Sequence, residues 1–478
     1  MEPVVGGQYR PLKEEEIKKI LEASLTILSD IGVEVHSRLA FEAFQRHGAV
    51  CDASKSLVKL SRSMVEDAID RAPKRVVLCG REEKHDICCE GTNVHFGTAG
   101  SPTDIVDLET DEVRPTNLQD VRDVARLLDA LENIHFVIIP PYPTELAPHE
   151  VDINRFHSSI LNCSKHIAGS VFTLKGTLDV IKMAEMIAGS PKALRERPFV
   201  SFLTALVSPL RIDGPYGDML CRIAEAGIPV HLSSEPTAGV TAPITLAGLL
   251  AGLHAEALSG LTLTQIINPG TPVIYAISGS SPNLKTMGFL GGAVENGLIN
   301  AAGSAIAQYL KLPNYTLGGL SDSKVVDVQN GYEKAISNLL IGLAGSNVIH
   351  AAAGITEFGM MLSYKQFVID NEILGMVMRA VRGIDVTDET IALDVYQRVG
   401  PGGNFLSDPH TVKWMRKEFF IPKLSDRQLR ETWEKGGRPT AEKNAAAMAK
   451  RILREHKPLG LPEDLNNQLK AQFPEIRP

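Results

Sequence analysis

The sequence predicts an α/β fold in which a closed TIM (β/α)8 barrel carries an N-terminal helical and short-strand extension and C-terminal helices. Between residues 93 and 360, eight apolar, β-rich runs alternate with helical segments, and successive runs begin 30 to 43 residues apart. Each interval leaves room for a loop and a crossover helix, and strands that alternate with helices form parallel sheets. Eight such units favour a closed barrel over an open doubly wound sheet. The predicted strands cover residues 94–98, 135–140, 166–172, 200–207, 230–234, 273–278, 315–319 and 348–351.

The pattern of elements divides the chain into three regions. Residues 1–92 form the predicted extension, in which residues 12–31 have helical spacing, Ser61 can cap a second helix and residues 75–79 and 85–89 form a short hairpin. Residues 93–360 form the barrel. Residues 361–478 are predicted to be a helical region, with helices over 366–382 and 441–454, that packs on the barrel or on a partner subunit.

Composition excludes several classes of function. The 478 residues are 44% hydrophobic with a net charge of −8, which allows a large core but offers no basic surface for nucleic acid. The six cysteines form no CxxC pair, so no metal site is predicted. The N-terminus lacks a signal pattern, and the apolar stretch 240–267 is interrupted by His254 and Glu256, which indicates a buried helix. We expect a cytoplasmic protein without a membrane span.

The predicted carboxyl ends of the strands, where barrel enzymes bind their substrates, are rich in glycine, alanine and serine. Titratable residues near them are few, and no triad, acid pair or metal cluster is grouped as a hydrolase requires. The small residues have two interpretations: tight turns with close packing, or a wide mouth into which another large body inserts. The first accounts for many of the glycines, and small residues at all eight ends together favour the second more than any single end does. The titratable residues near these ends are Glu235, Asp322, His350 and Glu357.

Three motifs resemble the trimethylamine methyltransferase family, and the likeness runs in order over nearly the whole chain. It implies a TIM barrel that transfers a methyl group from an amine to the Co(I) corrinoid of a partner protein, with no cofactor held tightly by this chain. Archaeal trimethylamine enzymes of the family carry pyrrolysine near the seventh strand, where residues 325–333 here are all standard. The resemblance therefore implies a quaternary amine such as glycine betaine, proline betaine or carnitine. The motifs are residues 95–102 with Asp107, Leu108 and 114–116; residues 318–324 with Asp327, Gln329, Gly331, Tyr332 and Glu333; and residues 347–354.

The chemistry of a quaternary amine agrees with a mouth that has few reactive groups. The amine leaves as a neutral molecule once its methyl group departs, so neither a general acid nor a metal is required. The remaining tasks of the enzyme are to place the methyl carbon in line with the acceptor and to exclude water. Such a cation binds to aromatic faces. His350 is the predicted catalytic residue and the first choice to bind a substrate carboxylate, with Arg211 or Lys324 as other partners. The candidate rings are Phe96 and Phe358, which adjoin matched motifs, and Tyr142, Phe172, Phe202, Tyr275 and Tyr332.

Other interpretations stay open at this point. Each candidate ring can instead be a core residue, and His350 can be a hydrogen-bonded core histidine. The protein can also be a tertiary-amine corrinoid methyltransferase that works without pyrrolysine, or a non-catalytic betaine-binding protein. An unrelated lyase or hydrolase barrel would require clustered acids, bases or metal ligands at the mouth. We expect a homo-oligomer.

Overall fold

Eight parallel strands close a barrel in the computed structural model, which describes residues 3–478. Each strand pairs with the next along the chain, and the last returns to the first, as in the pairing of Ile349 with Phe96. The predicted TIM barrel is therefore confirmed, and all eight predicted strands are present. The strands are β1 Phe96–Thr98, β2 Phe136–Ile138, β3 His166–Ser170, β4 Val200–Ala205, β5 Val230–Ser233, β6 Val273–Ile277, β7 Asn314–Leu317 and β8 Val348–Ala353.

Helices follow the strands and cover the outside of the barrel. The helix after β5 is apolar and long enough to cross a membrane, yet 78% of its apolar window is buried inside the protein. His254 and Glu256 on this helix are themselves buried, as expected for a core helix. The outer helices are α1 Leu118–Ala130, α2 Pro148–Asn162, α3 Leu174–Ala188, α4 Gly214–Ala226, α5 Leu246–Ile267, α6 Val294–Tyr309, α7 Val328–Ala344 and α8 Tyr364–Arg382.

The N-terminal region closes one end of the barrel. A hairpin of Val76–Leu78 and Ile87–Cys89 packs its apolar side chains against inward-facing residues such as Phe136 of β2 and Ile274 of β6. Ser61 caps a helix as predicted, since its Oγ accepts a hydrogen bond from the Met64 amide. The other elements are helices Glu14–Thr26, Arg38–Arg46 and Arg62–Arg71, the π-helical turn Ile27–Ile31, the short helix Glu83–His85, and strands Val4–Val5, Val33–Val35, Val50–Asp52, Leu57–Lys59 and Asn93–Val94.

The C-terminal region is helical and packs on the outside of the barrel. Its longest helix beyond α8, Ala441–Glu455, lies on α8, where the Lys365 ammonium contacts Glu442 at 2.8 Å. The other helices after α8 are Asp388–Ile391, Leu393–Val399, Pro409–Glu418, Arg430–Lys435 and Glu463–Gln472. Within the barrel, the loops hold helix Pro191–Glu196, the 3-10 turn Glu357–Gly359, and short strands Asp104–Val106, Val113–Pro115, Arg211–Ile212, Ser281–Pro282, Phe289–Leu290, Ile355–Thr356 and Met361–Ser363.

Buried polar side chains of the outer helices hold the loops at the carboxyl ends of the strands. The Lys334 ammonium of α7 donates to the Gly319 carbonyl after β7 at 2.6 Å and pairs with Asp370 of α8 at 3.0 Å. Asp370 in turn accepts a hydrogen bond from the Gly354 amide after β8 at 2.7 Å. Both charged groups are fully buried, so this pair ties together the loops that follow the last two strands.

Breaking this pair is expected to destabilise the protein strongly. In Asp370→Asn the Lys334 cation stays buried without its counter-charge, which costs about 3–5 kcal/mol of unfolding free energy. Thermal or denaturant unfolding measures the loss. Glu431→Gln is the control, because Glu431 forms an exposed pair with Lys435 whose removal leaves the unfolding curve nearly unchanged. Equal stability of the two variants would show that the buried pair does not hold the fold.

Candidate functional site

A cavity of about 510 Å³ opens at the carboxyl end of the barrel, between the ends of β1, β5, β7 and β8. Its lining is mostly apolar, with one carboxylate, one imidazole and two aromatic rings. Among the described residues, no lysine or arginine lines it. The lining residues are Ala99, Gly100, Glu235, Phe289, Leu317, Leu320, His350, Ala351, Ile355, Phe358, Gly359 and Met360.

His350 of β8 enters this cavity as a neutral imidazole. Its Nδ1 forms a hydrogen bond with the hydroxyl of Tyr315 on β7, and the two rings stack with their centroids 5.0 Å apart. Burial lowers the pKa of His350 to about 3, so the ring is uncharged near neutral pH. We assign the Tyr315 hydroxyl as the donor, which puts the imidazole proton on Nε2. Nε2 has no hydrogen-bond partner within residues 3–478.

Phe358 reaches the cavity from a backbone conformation that bulky residues rarely adopt. Its φ is 60°, next to Glu357 with a φ of 53°, in the left-handed region that disfavours side chains with a Cβ. The β7 loop holds this turn, because the amides of Glu357 and Phe358 donate to the carbonyls of Ser323 and Ser321. Such conformations persist where the surroundings enforce them, and they cluster at functional sites.

The ring of Phe358 already contacts one cation of the protein itself. The exposed Lys324 ammonium lies 4.2 Å from the ring centroid and also donates to the Asp322 carbonyl at 2.8 Å. An aromatic face attracts an ammonium group because of the negative charge density above the ring. The structure therefore places Phe358 and His350, two of the predicted site residues, in the lining of one cavity, and the Lys324 ammonium lies against the ring of Phe358.

Of the residues that the structure describes, Glu235 supplies the one carboxylate of the cavity. Its Oε1 accepts a hydrogen bond from Ser233 Oγ at 3.1 Å. The side chain is exposed to the open space of the cavity. The surrounding protein still removes much of the water around the carboxylate, and this desolvation raises the pKa of Glu235. A cation in the cavity would favour the ionised form of this group.

Three of the predicted rings face away from the cavity, which corrects their assignment to the substrate site. Phe96 packs outward toward Gly342 of α7, Phe202 packs against Phe156 of α2 with centroids 5.6 Å apart, and the Tyr275 hydroxyl binds His254 of α5 at 2.9 Å. The reason is the alternation of side chains along a strand. Neighbours of these residues, such as Leu203, Ile274 and Ala276, are the ones that point into the barrel.

The remaining candidates also lie outside the cavity lining. Tyr332 is 52% exposed on the first turns of α7, and Arg211 lies in a short strand that pairs with Val33–Val35 of the N-terminal region. Tyr142 and Phe172 pack edge to face, 5.2 Å between centroids, and the Arg155 guanidinium lies over the Phe172 ring. None of these four residues lines the cavity.

Sequence reasoning missed several residues that form the site. Tyr315, which orients His350, was recognised only as the start of the seventh strand, and Glu235 only as a titratable residue near a strand end. Phe289, Leu320 and Met360 lie in loops whose course no periodic pattern reveals. Tyr315 and Leu317 are two residues apart and therefore share one face of β7, but the sequence does not show which face points into the barrel.

The chemistry available to this site is binding and placement. Within the part of the chain that the structure describes, no three histidine, cysteine, aspartate or glutamate side chains converge as metal ligands. The lining also has no second carboxylate that could work with Glu235 as an acid–base pair. An aromatic face and a carboxylate in an apolar cavity suit a cation, and the Nε2 proton of His350 suits an oxygen acceptor.

Comparisons with known proteins agree with the resemblance seen in the sequence. Residues 4–476 match the model of the family described as trimethylamine methyltransferase (MTTB). Trimethylamine methyltransferase MttB of Desulfitobacterium hafniense (strain DSM 10664 / DCB-2) is 37% identical over 98% of this chain and 94% of that protein. Glycine betaine methyltransferase of D. hafniense (strain Y51) is 33% identical, covering 97% and 96%. Trimethylamine methyltransferase MttB of Methanosarcina thermophila is 34% identical, covering 98% and 97%. The chain therefore belongs to the trimethylamine methyltransferase family.

Proposed function

We propose that this protein takes a methyl group from a quaternary amine bound in the mouth cavity and transfers it to the Co(I) corrinoid of a partner protein. The observation that carries the proposal is that the Phe358 ring and the Glu235 carboxylate both line one mostly apolar cavity. A permanent cation is stabilised by both groups, one through its ring face and one through its charge. Methyl transfer from amines is also the activity named for the relatives of this chain.

The proposed reaction needs no proton transfer by the protein. The carbon–nitrogen bond breaks with its electron pair staying on nitrogen, which leaves as a neutral tertiary amine, and the acceptor's own electron pair forms the new bond to carbon. Positive charge on the amine disperses during this step, so a dry cavity favours the transition state over the bound cation. The work left to the chain is to place the methyl carbon in line with the acceptor. A neutral His350 can position the substrate but is not needed as a base.

An apolar surface around the mouth supports a protein partner for this transfer. Large hydrophobic side chains stand exposed on four of the loops that follow barrel strands, and Leu284 has 79% of its surface exposed. Large apolar side chains exposed at one end of a protein mark surfaces that another molecule covers. We call this group the mouth rim, and it consists of Val240 and Ile244 after β5, Leu284 and Met287 after β6, Val325 and Val328 after β7, and Met360 after β8.

A spectroscopic assay tests the proposal directly. The protein is mixed with Co(I)-cobalamin and one amine at a time, and methyl-cobalamin formation is followed by absorbance. Methyl-cobalamin from a quaternary amine supports the proposal. Turnover of trimethylamine alone would favour the tertiary-amine alternative, and binding of amines with no methyl-cobalamin from any of them would favour a non-catalytic binding protein.

Removing the Phe358 ring is expected to weaken binding of the quaternary amine. Loss of one aromatic face costs about 0.5–2 kcal/mol, which is about a 2- to 30-fold rise in Kd. Titration calorimetry of Phe358→Ala with tetramethylammonium measures the change, and Phe358→Tyr retains the ring face and should bind nearly as wild type. In the control Phe202→Ala, the outward-facing ring leaves a core cavity, so stability falls while affinity is kept. Wild-type affinity in Phe358→Ala would remove the ring from the site.

The pH dependence of cation binding should follow Glu235 and not His350. The pKa of Glu235 is raised above its ordinary value of 4.5, so affinity is full above that raised pKa and falls as the pH drops through it. The pKa of His350, about 3, predicts no break in affinity near pH 6.5. Calorimetric titrations of tetramethylammonium between about pH 5 and pH 8 measure the profile, and Glu235→Gln should lack the acid limb. A break near pH 6.5 in the wild type would contradict the assignment of a neutral His350.

Charges placed on the mouth rim should block the partner without affecting the amine. In the double variant Leu284→Asp, Val325→Asp, two exposed apolar contacts become carboxylates, and we expect methyl transfer to a reduced corrinoid protein to fall at least about tenfold. Transfer to free Co(I)-cobalamin should be unchanged, because neither residue lines the cavity. Ile384→Asp is the control, since this exposed residue follows the end of α8 at the opposite end of the barrel. Equal losses with both acceptors would contradict a docking role for the rim.

A further inference from the structure

The distribution of charge around the cavity is strongly one-sided. Glu235 is the only charged residue among the described lining residues. Two buried cations near the cavity are already bound by other groups. Lys334 is held by Asp370 and the Gly319 carbonyl. All three nitrogens of the Arg155 guanidinium donate hydrogen bonds, two of them to the carbonyls of Pro141 and Ser170. Both are fully buried behind the loops. The described lining therefore offers a ligand one negative group and no positive one, while the Lys324 ammonium lies against the Phe358 ring without being part of that lining.

We infer that the amine bound here is a monocation without an acid group, a trimethylammonium compound of the choline or tetramethylammonium type, and not a betaine. The inference rests on the proposed function, because it specifies the substrate of the same cavity. It departs from the betaine that the resemblance implies. Choline and glycine betaine share the trimethylammonium group and the adjoining methylene, and a hydroxymethyl group in choline replaces the carboxylate of betaine.

The carboxylate of a betaine would find no adequate partner in this cavity. Arg211, one candidate for that role, is placed by its strand pairing with the N-terminal region. Lys324 lies on the Phe358 ring outside the lining. His350 offers one neutral N–H, and the Glu235 carboxylate would repel a second negative charge within the same 510 Å³. Repulsion between two carboxylates in a desolvated site weakens binding of the ligand that carries the second one.

A choline-type ligand satisfies the groups that are present. Its ammonium end can lie against Phe358 with Glu235 as counter-charge. Its hydroxyl oxygen can accept a hydrogen bond from His350 Nε2, which has no partner among the described residues. With the Tyr315 hydroxyl assigned as the donor to Nδ1, the imidazole donates from Nε2. A neutral oxygen is a suitable acceptor for a neutral imidazole, and its burial costs less than that of a carboxylate.

Binding is measured by titration calorimetry without cobalamin, using choline, tetramethylammonium, glycine betaine and trimethylamine as separate ligands. We expect the Kd of the wild type for choline to be at least about tenfold lower than its Kd for glycine betaine. In Glu235→Gln, choline should bind more weakly and the preference should shrink toward unity, because the variant loses both the attraction and the repulsion. Methyl transfer to Co(I)-cobalamin with the same ligands should follow the same order.

Glu357→Gln is the matched control. It removes the same charge next to Phe358, but Glu357 does not line the cavity, so the preference for choline should be kept. If both variants lose it equally, the selectivity comes from the overall field and the assignment to Glu235 is wrong. The wild-type ratio alone decides the main point should Glu235→Gln fail to fold.

The outcomes separate this inference from the proposed function. Glycine betaine bound or demethylated at least as well as choline overturns the inference while methyl transfer stands. Selective binding of choline with no methyl transfer from any amine keeps the inference and overturns the proposed activity. Tighter binding and faster demethylation of trimethylamine than of choline and tetramethylammonium overturns the quaternary class. A wild type that binds none of the four ligands overturns the inference.

Discussion

Inside the barrel wall, the Lys334 ammonium and the Asp370 carboxylate lie 3.0 Å apart with no exposed surface, and each also binds the main chain of a mouth loop. Buried main-chain N–H and C=O groups need hydrogen-bond partners. Loops that turn back into a barrel mouth bury many such groups outside regular helices and strands. Burial disfavours the charged form of both side chains, lowering the pKa of Lys334 and raising that of Asp370, and their mutual attraction opposes this. Because the pair holds Gly319 and Gly354, it also determines where the turn that carries Phe358 can lie.

The same constraint explains why glycine is required at the mouth. Gly354 has a φ of +88°, and a Cβ there would lie 1.8 Å from the ring of Phe367 on α8. Gly319 has a φ of +67°, and its Cβ would meet the Ala352 carbonyl at 2.7 Å. Tight turns and close packing therefore account for these glycines without any ligand. The open cavity is a consequence of that packing, since loops held close to the wall leave the centre of the mouth free.

The barrel could be predicted from the sequence because its signal is repeated eight times. Strand positions follow from the alternation of apolar runs and helices. In the N-terminal region, the capping preference of serine predicts the cap of Ser61, and the strand pattern predicts the hairpin of Val76–Leu78 and Ile87–Cys89. The site could be predicted only in part. The matched motifs predict His350 and the neighbouring Phe358. The sequence does not reveal which of two adjacent strand residues faces inward. It therefore predicts Phe202 and Tyr275 as site residues, although Leu203 and Ile274 point into the barrel. Glu235 depends on the path of a loop.

A site with one carboxylate, one neutral imidazole and one held ring separates selection from reaction. The charge of Glu235 can decide which amine stays in the cavity, but it stabilises the bound cation and so opposes the loss of positive charge as the methyl group leaves. The barrier must then be lowered by placement and by the reactivity of the acceptor, which no side chain of this cavity supplies. This makes the turn that carries Phe358 the sensitive part of the site: a strained backbone held by the β7 loop fixes the ring, and through the ring the distance between the methyl carbon and whatever approaches the mouth rim.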